Sequence, residues 1–482
     1  MKLQSNKTSL MALFVVSTVL MNQIAFQNSA NAATSGSGIC QQTYTLSAGN
    51  ESVTVTSDAN YCYVAFKNLG AAGSISSSYV WSKPNGISSL DVLVIGGGGG
   101  GGSRQGGGGG AGSFVQATSY AVTSSSTNIN VVVGAGGAGA PGLATNNYIG
   151  SKGNASSFKI STNGLTALGG GAGIQSSASS EDDGGSGGGA GGMQTGGNPT
   201  SSTQKSLDGF STLTGIEFGE AGASGVTEPA VNFDFWAAAG GGGAGGAGKR
   251  PTLSGVERTT DFPDSDGSLA RGGDGGIGKI SSFVSSTIAT NLGIGQNSGG
   301  STYFAAGGGG GIGADGAAGG LGGIGGGGNG TRAVATGGVA ALASTGSGGG
   351  GSGYDDISPV AGDTANPPGG PGGSGVVVIR YLAVSPSVSV SLPAGDFNFR
   401  TAKSISATPT AAGRLTFRAN NVIIPGCKNL LASANSARSC SYRPSARGNV
   451  FITVTLVPTD AGFSSSTTRS ATFFVFKRTG PR

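Results

Sequence analysis

In SSLDVLVIGGGGGGG, residues 88–102, a short apolar run leads directly into seven consecutive glycines. A dinucleotide-binding fingerprint begins in the same way, and Gly96, Gly98 and Gly101 fit its G-x-G-x-x-G spacing. That fingerprint also needs a following helix and an acidic residue about 20 positions later for the ribose. Here SRQGGGGGAGSFV follows, and after Asp91 the next acidic residue is Glu181. The sequence therefore predicts no cofactor at this junction, and glycine is expected to serve backbone packing.

The composition of the whole chain restricts its chemistry. Of 482 residues, 99 are glycine, only 10% are charged and none is histidine. Without histidine, Ser-His-Asp and Cys-His nucleophiles and HExxH zinc sites are excluded. Glu181, Asp182 and Asp183 form a carboxylate cluster, but the surrounding Ser/Gly segment offers nothing to make them a catalytic pair. We expect a protein that is not an enzyme and has no catalytic residues and no cofactor.

The first residues are typical of a secretory signal peptide over 1–32. Lys2 and Lys7 give a positive start, LMALFVVSTVL is an apolar run too short to span a bilayer, and Ala30-Asn31-Ala32 fits the cleavage pattern. No later apolar run reaches the length of about 18 residues needed for a membrane helix. We expect a secreted, extracellular protein, associated with the cell surface and without a transmembrane segment after signal removal.

The four cysteines are typical of a secreted protein with disulfides. Cys40 lies near Cys62, and Cys427 near Cys440, which favours two local disulfides. Metal binding is the alternative, but the chain has neither C-x-x-C spacing nor histidine partners. Each disulfide would close a short loop and add about 2–3 kcal/mol of stability.

Glycine tracts alternate with β-rich runs over residues 96–375. A flexible Gly/Ser linker is the compositional alternative, but linkers do not carry regular apolar interruptions such as Ile312, Leu321 and Ile324. No strict G-X-Y period runs through the region, which excludes collagen. We predict extended polyglycine helices of three residues per turn, packed side by side so that their amides bond to carbonyls of neighbouring helices.

Residues 200–270 have a different composition, with aromatic residues interleaved among acidic ones. The segment is expected to be a recognition loop displayed by the scaffold, although its aromatic residues could instead cap one end of the bundle. The candidate recognition residues are Phe210, Phe218, Phe233, Phe235 and Trp236.

The sequence DFPDSDGS within that segment contains candidate calcium ligands. Asp261, Asp264 and Asp266 are oxygen-rich and closely spaced, but the bidentate glutamate of an EF-hand is missing. The alternative is an acidic surface turn, so no metal site is predicted.

From residue 384 onward glycine becomes rare and short β runs predict a sandwich of roughly seven strands. This part carries 12 Lys and Arg against Asp396 and Asp460, whereas residues 33–383 carry 13 against 20 acidic residues. The basic end is expected to meet an anionic envelope polymer, a surface glycan or a protein, unless it is only a solvated face. Nucleic-acid binding is not expected, because few exposed aromatic residues accompany the cations.

The order of several motifs over 80–383 resembles a known family. YVWSKPNGISSLDVLVIGGGGGGG, GGGGGAGSFV, NVVVGAGGAG, ALGGGAG, YFAAGGGGGIG and GGSGVVVIRYL resemble the secreted bacterial glycine-rich domain, which recurs in phage tail adhesins. They are also similar to the extracellular glycine-rich domain of anaplastic lymphoma kinase and leukocyte tyrosine kinase receptors. The resemblance implies a β scaffold with polyglycine helices, a closing strand at 376–381 and a role in recognition. It implies no catalytic residues, and we expect no kinase activity.

The C-terminal part resembles bacterial Ig-like repeats. Thr416-Phe417, the IPGC that ends at Cys427, the CSYRP that starts at Cys440, and VTLVPTDAGFSSSTT carry this resemblance. Such domains serve as stalks or surface-contact modules, so the same role is implied here.

Together these observations predict an all-β protein. An N-terminal β segment with a disulfide (33–79) precedes a glycine-rich domain (80–383), built as a β-sandwich scaffold with a polyglycine II helix bundle, and an Ig-like β-sandwich (384–482). We expect a secreted, non-enzymatic adhesion or ligand-recognition protein. The alternatives are a structural cell-wall or matrix component, and a ligand binder like a receptor ectodomain that has no kinase domain.

Overall fold

The fold is nearly all β. The computed structural model describes residues 32–36, 40–84, 87, 89–122, 128–142, 148–160, 163–175, 183–191, 216–218, 237–257, 270–313, 318–332, 337–354, 367–383, 386–459, 465–470 and 472–477. The strands up to residue 382 are β1 (Ala32–Ser35), β2 (Gln42–Ala48), β3 (Glu51–Ser57), β4 (Tyr61–Asn68), β5 (Ser77–Ser82), β6 (Ser89–Ile95), β7 (Phe114–Ala121), β8 (Asn128–Val133), β9 (Ser156–Ile160), β10 (Asn163–Ala167), β11 (Ile216–Phe218), β12 (Thr252–Leu253), β13 (Val256–Glu257), β14 (Ala270–Arg271), β15 (Lys279–Ile280), β16 (Gln296–Ser298), β17 (Ser301–Phe304) and β18 (Val376–Leu382).

The later strands are β19 (Val388–Ser391), β20 (Phe397–Asn398), β21 (Lys403–Pro409), β22 (Gly413–Ala419), β23 (Val422–Ile423), β24 (Leu430–Ala432), β25 (Arg438–Tyr442), β26 (Gly448–Val450), β27 (Ile452–Pro458), β28 (Ser466–Arg469) and β29 (Phe473–Phe476). Among the described residues one α-helix occurs, α1 (Ser286–Leu292).

Two six-stranded antiparallel sheets form the scaffold sandwich, in the orders β1-β2-β5-β8-β9-β10 and β11-β7-β6-β18-β4-β3. The closing strand β18 lies between β6 and β4, where Val378 pairs with both Leu93 and Ala65. Between the sheets lies a core of fully buried side chains that includes Trp81 and Phe66. The predicted all-β sandwich is confirmed.

The N-terminal segment belongs to this sandwich. Strands β1, β2 and the first half of β5 enter one sheet and β3 and β4 the other, so residues 33–79 are interleaved with strands of the glycine-rich region. The boundary at 79/80 therefore does not separate two folding units. The physical reason is that β4 supplies the backbone partners along one whole side of β18. The predicted Cys40–Cys62 disulfide joins the start of this segment to β4.

The outer face of the second sheet is covered by residues 279–306. Helix α1 begins after the cap Ser285 and ends at Gly293, whose φ of 66° is the left-handed conformation common at helix ends. Its buried residues, Ile288, Ala289 and Leu292, pack in a second core with strand residues. No sequence pattern indicated this helix, because a seven-residue helix depends on tertiary packing more than on its own propensity.

The glycine tracts form the predicted polyglycine II helices. In tract 96–102, Gly96, Gly99 and Gly102 donate to Ser113, Gly110 and Gly107, at 3.1, 2.8 and 2.9 Å. Every third amide therefore bonds to the same neighbouring tract, which is the three-residue turn of an extended helix. Such a helix has no internal hydrogen bonds, so its stability depends on its neighbours.

The tracts pack as a hexagonal lattice. Tract 96–102 donates to three neighbours and accepts from three others, so that all six directions around it are bonded. Its donors point to tracts 106–113, 148–154 and 367–375, and its carbonyls accept from tracts 134–140, 168–175 and 346–352. The same six-fold bonding surrounds three further central tracts, which are 106–113, 305–313 and 346–352.

Ten described tracts surround these central ones, and the sequences of the surrounding tracts differ from those of the central tracts. The perimeter tracts are 134–140, 148–155, 168–175, 183–191, 237–243, 270–278, 318–324, 327–332, 337–342 and 367–375. Several of them carry a non-glycine residue at every third position, such as Arg271, Asp274 and Ile277. In tract 318–324 every third residue is exposed, including Leu321, which is 52% exposed. A local X-Gly-Gly triplet therefore marks a tract at the surface of the lattice.

Residues 386–477 form a separate all-β core, here called the C-terminal unit. Its sheets have the orders β19-β21-β25, β20-β29-β26 and β23-β22-β27-β28, with β24 paired to β22. Phe417, Ile452 and Val454 are fully buried in its core, and Cys427 and Cys440 are joined as predicted. Eleven described strands replace the roughly seven expected, because several pairings involve only two or three residues.

Candidate recognition surfaces

The bundle has one end fixed in the sandwich and one free end. Tract 96–102 continues β6 and ends at the turn 103–105, after which tract 106–113 returns to β7. We call the end of the bundle at this turn the distal end. Tracts 346–354 and 305–313 also run toward it, since Ser352 and Gly311 bond to Gly102 and Gly106. The turn 103–105 is therefore supported by hydrogen-bonded tracts.

The turn at the distal end is built from residues in an unusual conformation. Arg104 and Gln105 have φ values of 55° and 53°, in the left-handed region that favours glycine. The Arg104 guanidinium carbon lies 5.3 Å from the ring centroid of Tyr148 and 4.7 Å from that of Tyr354, and its Nη1 donates to the Tyr148 hydroxyl at 3.1 Å. Arg104 therefore links the turn 103–105 to the two segments that carry Tyr148 and Tyr354.

The same turn buries polar atoms without partners among the described residues. Gln105 is 3% exposed, and neither its Oε1 nor the Arg104 Nε forms a hydrogen bond. Burial of an unpaired polar atom costs stability, so this turn is held by its surroundings. No known sequence motif indicated this turn. The feature of the sequence that could have revealed it is SRQ, residues 103–105, which interrupts two glycine runs.

The predicted recognition segment is attached at the distal end. Gly189, which precedes the segment 200–270, and Ala239, which lies within it, both bond to Gly108. Phe210, Phe233, Phe235 and Trp236 lie outside the described residues. Phe218 belongs to β11, whose backbone pairs with β7 so that Phe218 lies opposite Phe114 at the edge of the scaffold sandwich.

The candidate calcium ligands Asp261, Asp264 and Asp266 also lie outside the described residues. Ala270, which follows them, pairs with Leu253 in a small three-stranded sheet. Within the described ranges no group of three His, Cys, Asp or Glu side chains could hold a metal ion.

A partly buried ion pair joins two strands of the scaffold. Arg380 of β18 bonds through Nε to Asp91 of β6 at 2.7 Å and stacks on the rings of Tyr61 and Phe283, 4.5 and 5.0 Å away. Nearby, burial and a hydrogen bond to Asp58 raise the pKa of Tyr63 to about 12. This cluster packs at the edge of the second core.

The C-terminal unit presents a basic surface. The two ion pairs found among the described residues, Arg271–Asp274 and Arg380–Asp91, both lie outside it. Several of its cations pack against aromatic rings instead: the Arg469 guanidinium carbon is 3.6 Å from the Phe451 centroid, and Lys403 Nζ is 5.1 Å from that of Phe397. Such contacts orient the side chains without neutralising their charge.

A groove opens on the same unit beside its basic residues. It has a volume of about 590 Å³. It is lined by Ala419, Asn420, Val422, Ile423, Ile424, Pro425, Ser441, Tyr442, Arg443, Ser445, Ala446 and Val450. Apolar walls with a few polar groups are the usual composition of a small-ligand site.

The β-sandwich, its closing strand and the hexagonal bundle define a class of glycine-rich β proteins. Residues 73–382 match the family model of the glycine-rich domain, which covers more than half of the chain. The protein belongs to this glycine-rich domain family. No curated protein and no solved structure matches the chain. In the part of the chain that the structure describes, no helix is long and apolar enough to cross a membrane.

Proposed function

We propose that this protein is a secreted, non-enzymatic surface protein with two contact regions. The glycine bundle is a rigid support for recognition loops at its distal end, and the C-terminal unit, as an Ig-like contact module, binds an anionic polymer of the cell envelope. The observation that carries the proposal is the basic surface of residues 386–477, where no described cation forms a salt bridge.

Unpaired cations favour a polyanionic partner. Each cation attracts negative charge without first losing an internal partner, and the attraction weakens as salt screens it. Residues 33–383 carry more acidic than basic residues, so they would be repelled by the same polymer. Attachment through the C-terminal unit would therefore direct the glycine bundle away from the envelope.

The bundle supports the recognition half of the proposal. Loops on rigid scaffolds are common sites of binding because the scaffold limits the entropy lost on binding. The Arg104 turn fixes Tyr148 and Tyr354 at the distal end, which favours a ligand binder like a receptor ectodomain over a purely structural matrix component.

Fractionation of envelopes followed by salt extraction tests the attachment. Since ionic attraction is screened within about 3 Å at 1 M salt, the full mature chain should be released between low salt and about 1 M. Release only by denaturant would instead support the structural matrix component. Loss of the N-terminal 32 residues from secreted protein, measured by intact mass, checks the signal peptide.

A further inference from the structure

Two exposed arginines flank one half-buried phenylalanine ring in the C-terminal unit, and a third exposed arginine is hydrogen-bonded to the backbone of one of them. The Arg400 and Arg447 guanidinium carbons lie 5.1 and 5.3 Å from the Phe399 ring centroid. Arg443 is tied to them, because its Nε donates to the Arg400 carbonyl oxygen at 2.9 Å. We call Phe399, Arg400, Arg443 and Arg447 the arginine cluster. No ion pair neutralises it among the described residues.

The arginine cluster adjoins the groove. Arg443 is part of the cluster and also lines the groove. On the groove wall, Val422 is 71% exposed and Ile423 is 37% exposed, and Asn420 and Ser441 add polar groups. The arginine cluster and the partly apolar groove therefore form one continuous surface.

The backbone gives no reason for an arginine at position 400. Arg400 has a φ of 59°, where glycine or asparagine is sterically preferred. Its amide donates to the Pro444 carbonyl at 3.0 Å, so this conformation joins the turn to the loop that carries Arg443 and Arg447. Strained residues cluster at binding sites, because the surrounding structure maintains them for their side chains.

We propose that the arginine cluster and the groove together bind a carboxylated saccharide unit of a surface glycan. The guanidinium groups match a carboxylate with paired hydrogen bonds, since their donors are planar and fixed. The C–H face of the sugar ring packs on Val422 and Ile423, and its hydroxyls meet Asn420 and Ser441. This inference rests on the proposed function and specifies the anion that the C-terminal unit recognises.

The test compares two full-length mature variants of equal net charge. The cluster variant is Arg400→Gln, Arg443→Gln and Arg447→Gln. The control variant is Arg414→Gln, Arg438→Gln and Arg469→Gln, three exposed arginines of the same unit that do not line the groove. Binding to polygalacturonate is measured near physiological salt, with neutral dextran and inorganic polyphosphate as the other probes, and thermal unfolding verifies that both variants fold.

The expected result is a loss of about tenfold or more in polygalacturonate affinity for the cluster variant and about threefold or less for the control. Equal losses would overturn the inference but leave the proposed electrostatic attachment intact. Polyphosphate binding as tight as polygalacturonate would overturn the saccharide part of it. Failure of the unmodified protein to bind either polyanion would contradict the proposed function itself.

A single substitution separates binding from folding. Arg400→Gly relieves the left-handed backbone, so the Tm should stay equal or rise while polygalacturonate affinity falls. A fall in Tm together with unchanged affinity would show that Arg400 serves the fold and would overturn its place in the site.

Discussion

The glycine bundle and the scaffold sandwich bury backbone in opposite ways. In the sandwich, large side chains fill the space between two sheets, and Trp81, Phe66 and Phe158 are completely buried. In the bundle, tract 96–102 has no side chains, and all seven of its amides donate to carbonyls of other tracts. The hydrogen-bonding groups of a buried backbone can therefore be satisfied by a lattice of extended helices as fully as by a sheet.

The two regions also respond differently to added volume. A sandwich core holds side chains in rotamers and can relax around a changed one. The lattice has no such freedom: a Cβ built on Gly98 would lie 2.0 Å from the Ser347 carbonyl oxygen, and one on Gly109 would lie 2.1 Å from the Gly99 oxygen. Glycine is required there for close approach of two backbones.

The largest effect is expected when a methyl group enters the lattice. Gly98→Ala should lower the free energy of unfolding by more than about 4 kcal/mol, because backbone atoms on a neighbouring tract would have to move. Denaturant unfolding and amide hydrogen exchange in 96–113 measure this. A loss below about 1 kcal/mol would show that the lattice is loosely packed.

Truncation of a large buried side chain in the sandwich should lower the free energy of unfolding somewhat less than Gly98→Ala does. Phe66 is fully buried and contacts the rings of Tyr79 and Trp81 with centroids 5.1 and 6.4 Å away. Phe66→Ala should lower the free energy of unfolding by about 3–5 kcal/mol, through lost burial and the cavity left behind. Urea unfolding followed by tryptophan fluorescence measures it, and the bundle amides should keep their exchange protection. Parallel loss of protection in the bundle would mean that the two regions unfold as one.

Alkaline pH should weaken the sandwich through a buried tyrosine. Burial raises the pKa of Tyr381 from 10.0 to about 12, and its hydroxyl accepts a hydrogen bond from Gln42. The unfolded chain ionises first, so the stability is present below pH 10 and is lost as the pH rises through 12, by about 2–3 kcal/mol. Tyr381→Phe should make the free energy of unfolding fall less steeply with pH between pH 9 and 12, as measured by unfolding titrations. If the variant loses stability as steeply as the unmodified protein, other groups cause the loss at alkaline pH.

The smallest effect is expected at a triplet position on the perimeter. Leu321 is 52% exposed on tract 318–324, so Leu321→Ala should change the free energy of unfolding by less than about 0.5 kcal/mol. This substitution is the matched control for Gly98→Ala, because both place alanine in a polyglycine helix. A large loss at Leu321 would contradict the distinction between central and perimeter tracts.

Much of this architecture follows from particular residues. The apolar run before the first glycines predicted β6, and the family resemblance implied the closing strand β18. Cys40 with Cys62 and Cys427 with Cys440 were paired correctly from their spacing. The polyglycine helices followed from the need to satisfy the amides of long glycine runs. These features depend on local chemistry, so a single sequence is sufficient to predict them.

Other features could not be predicted, because they depend on distant partners. Arg104 meets Tyr148 and Tyr354 only after the bundle has formed. Arg447 reaches the Phe399 ring only because the turn at Arg400 is bonded to the loop at Pro444. The X-Gly-Gly triplets were visible in the sequence, but only the lattice explains them.

The β class, the two disulfide pairs and the extended conformation of the glycine tracts follow from the sequence alone. Each of these depends on what a residue type permits in its own backbone or its near neighbours. Which tracts are central follows from the folded structure, since that is a property of the six neighbours around each helix. The folded structure also decided that the N-terminal segment completes the sandwich, because β18 needs β4 beside it from more than 300 residues away.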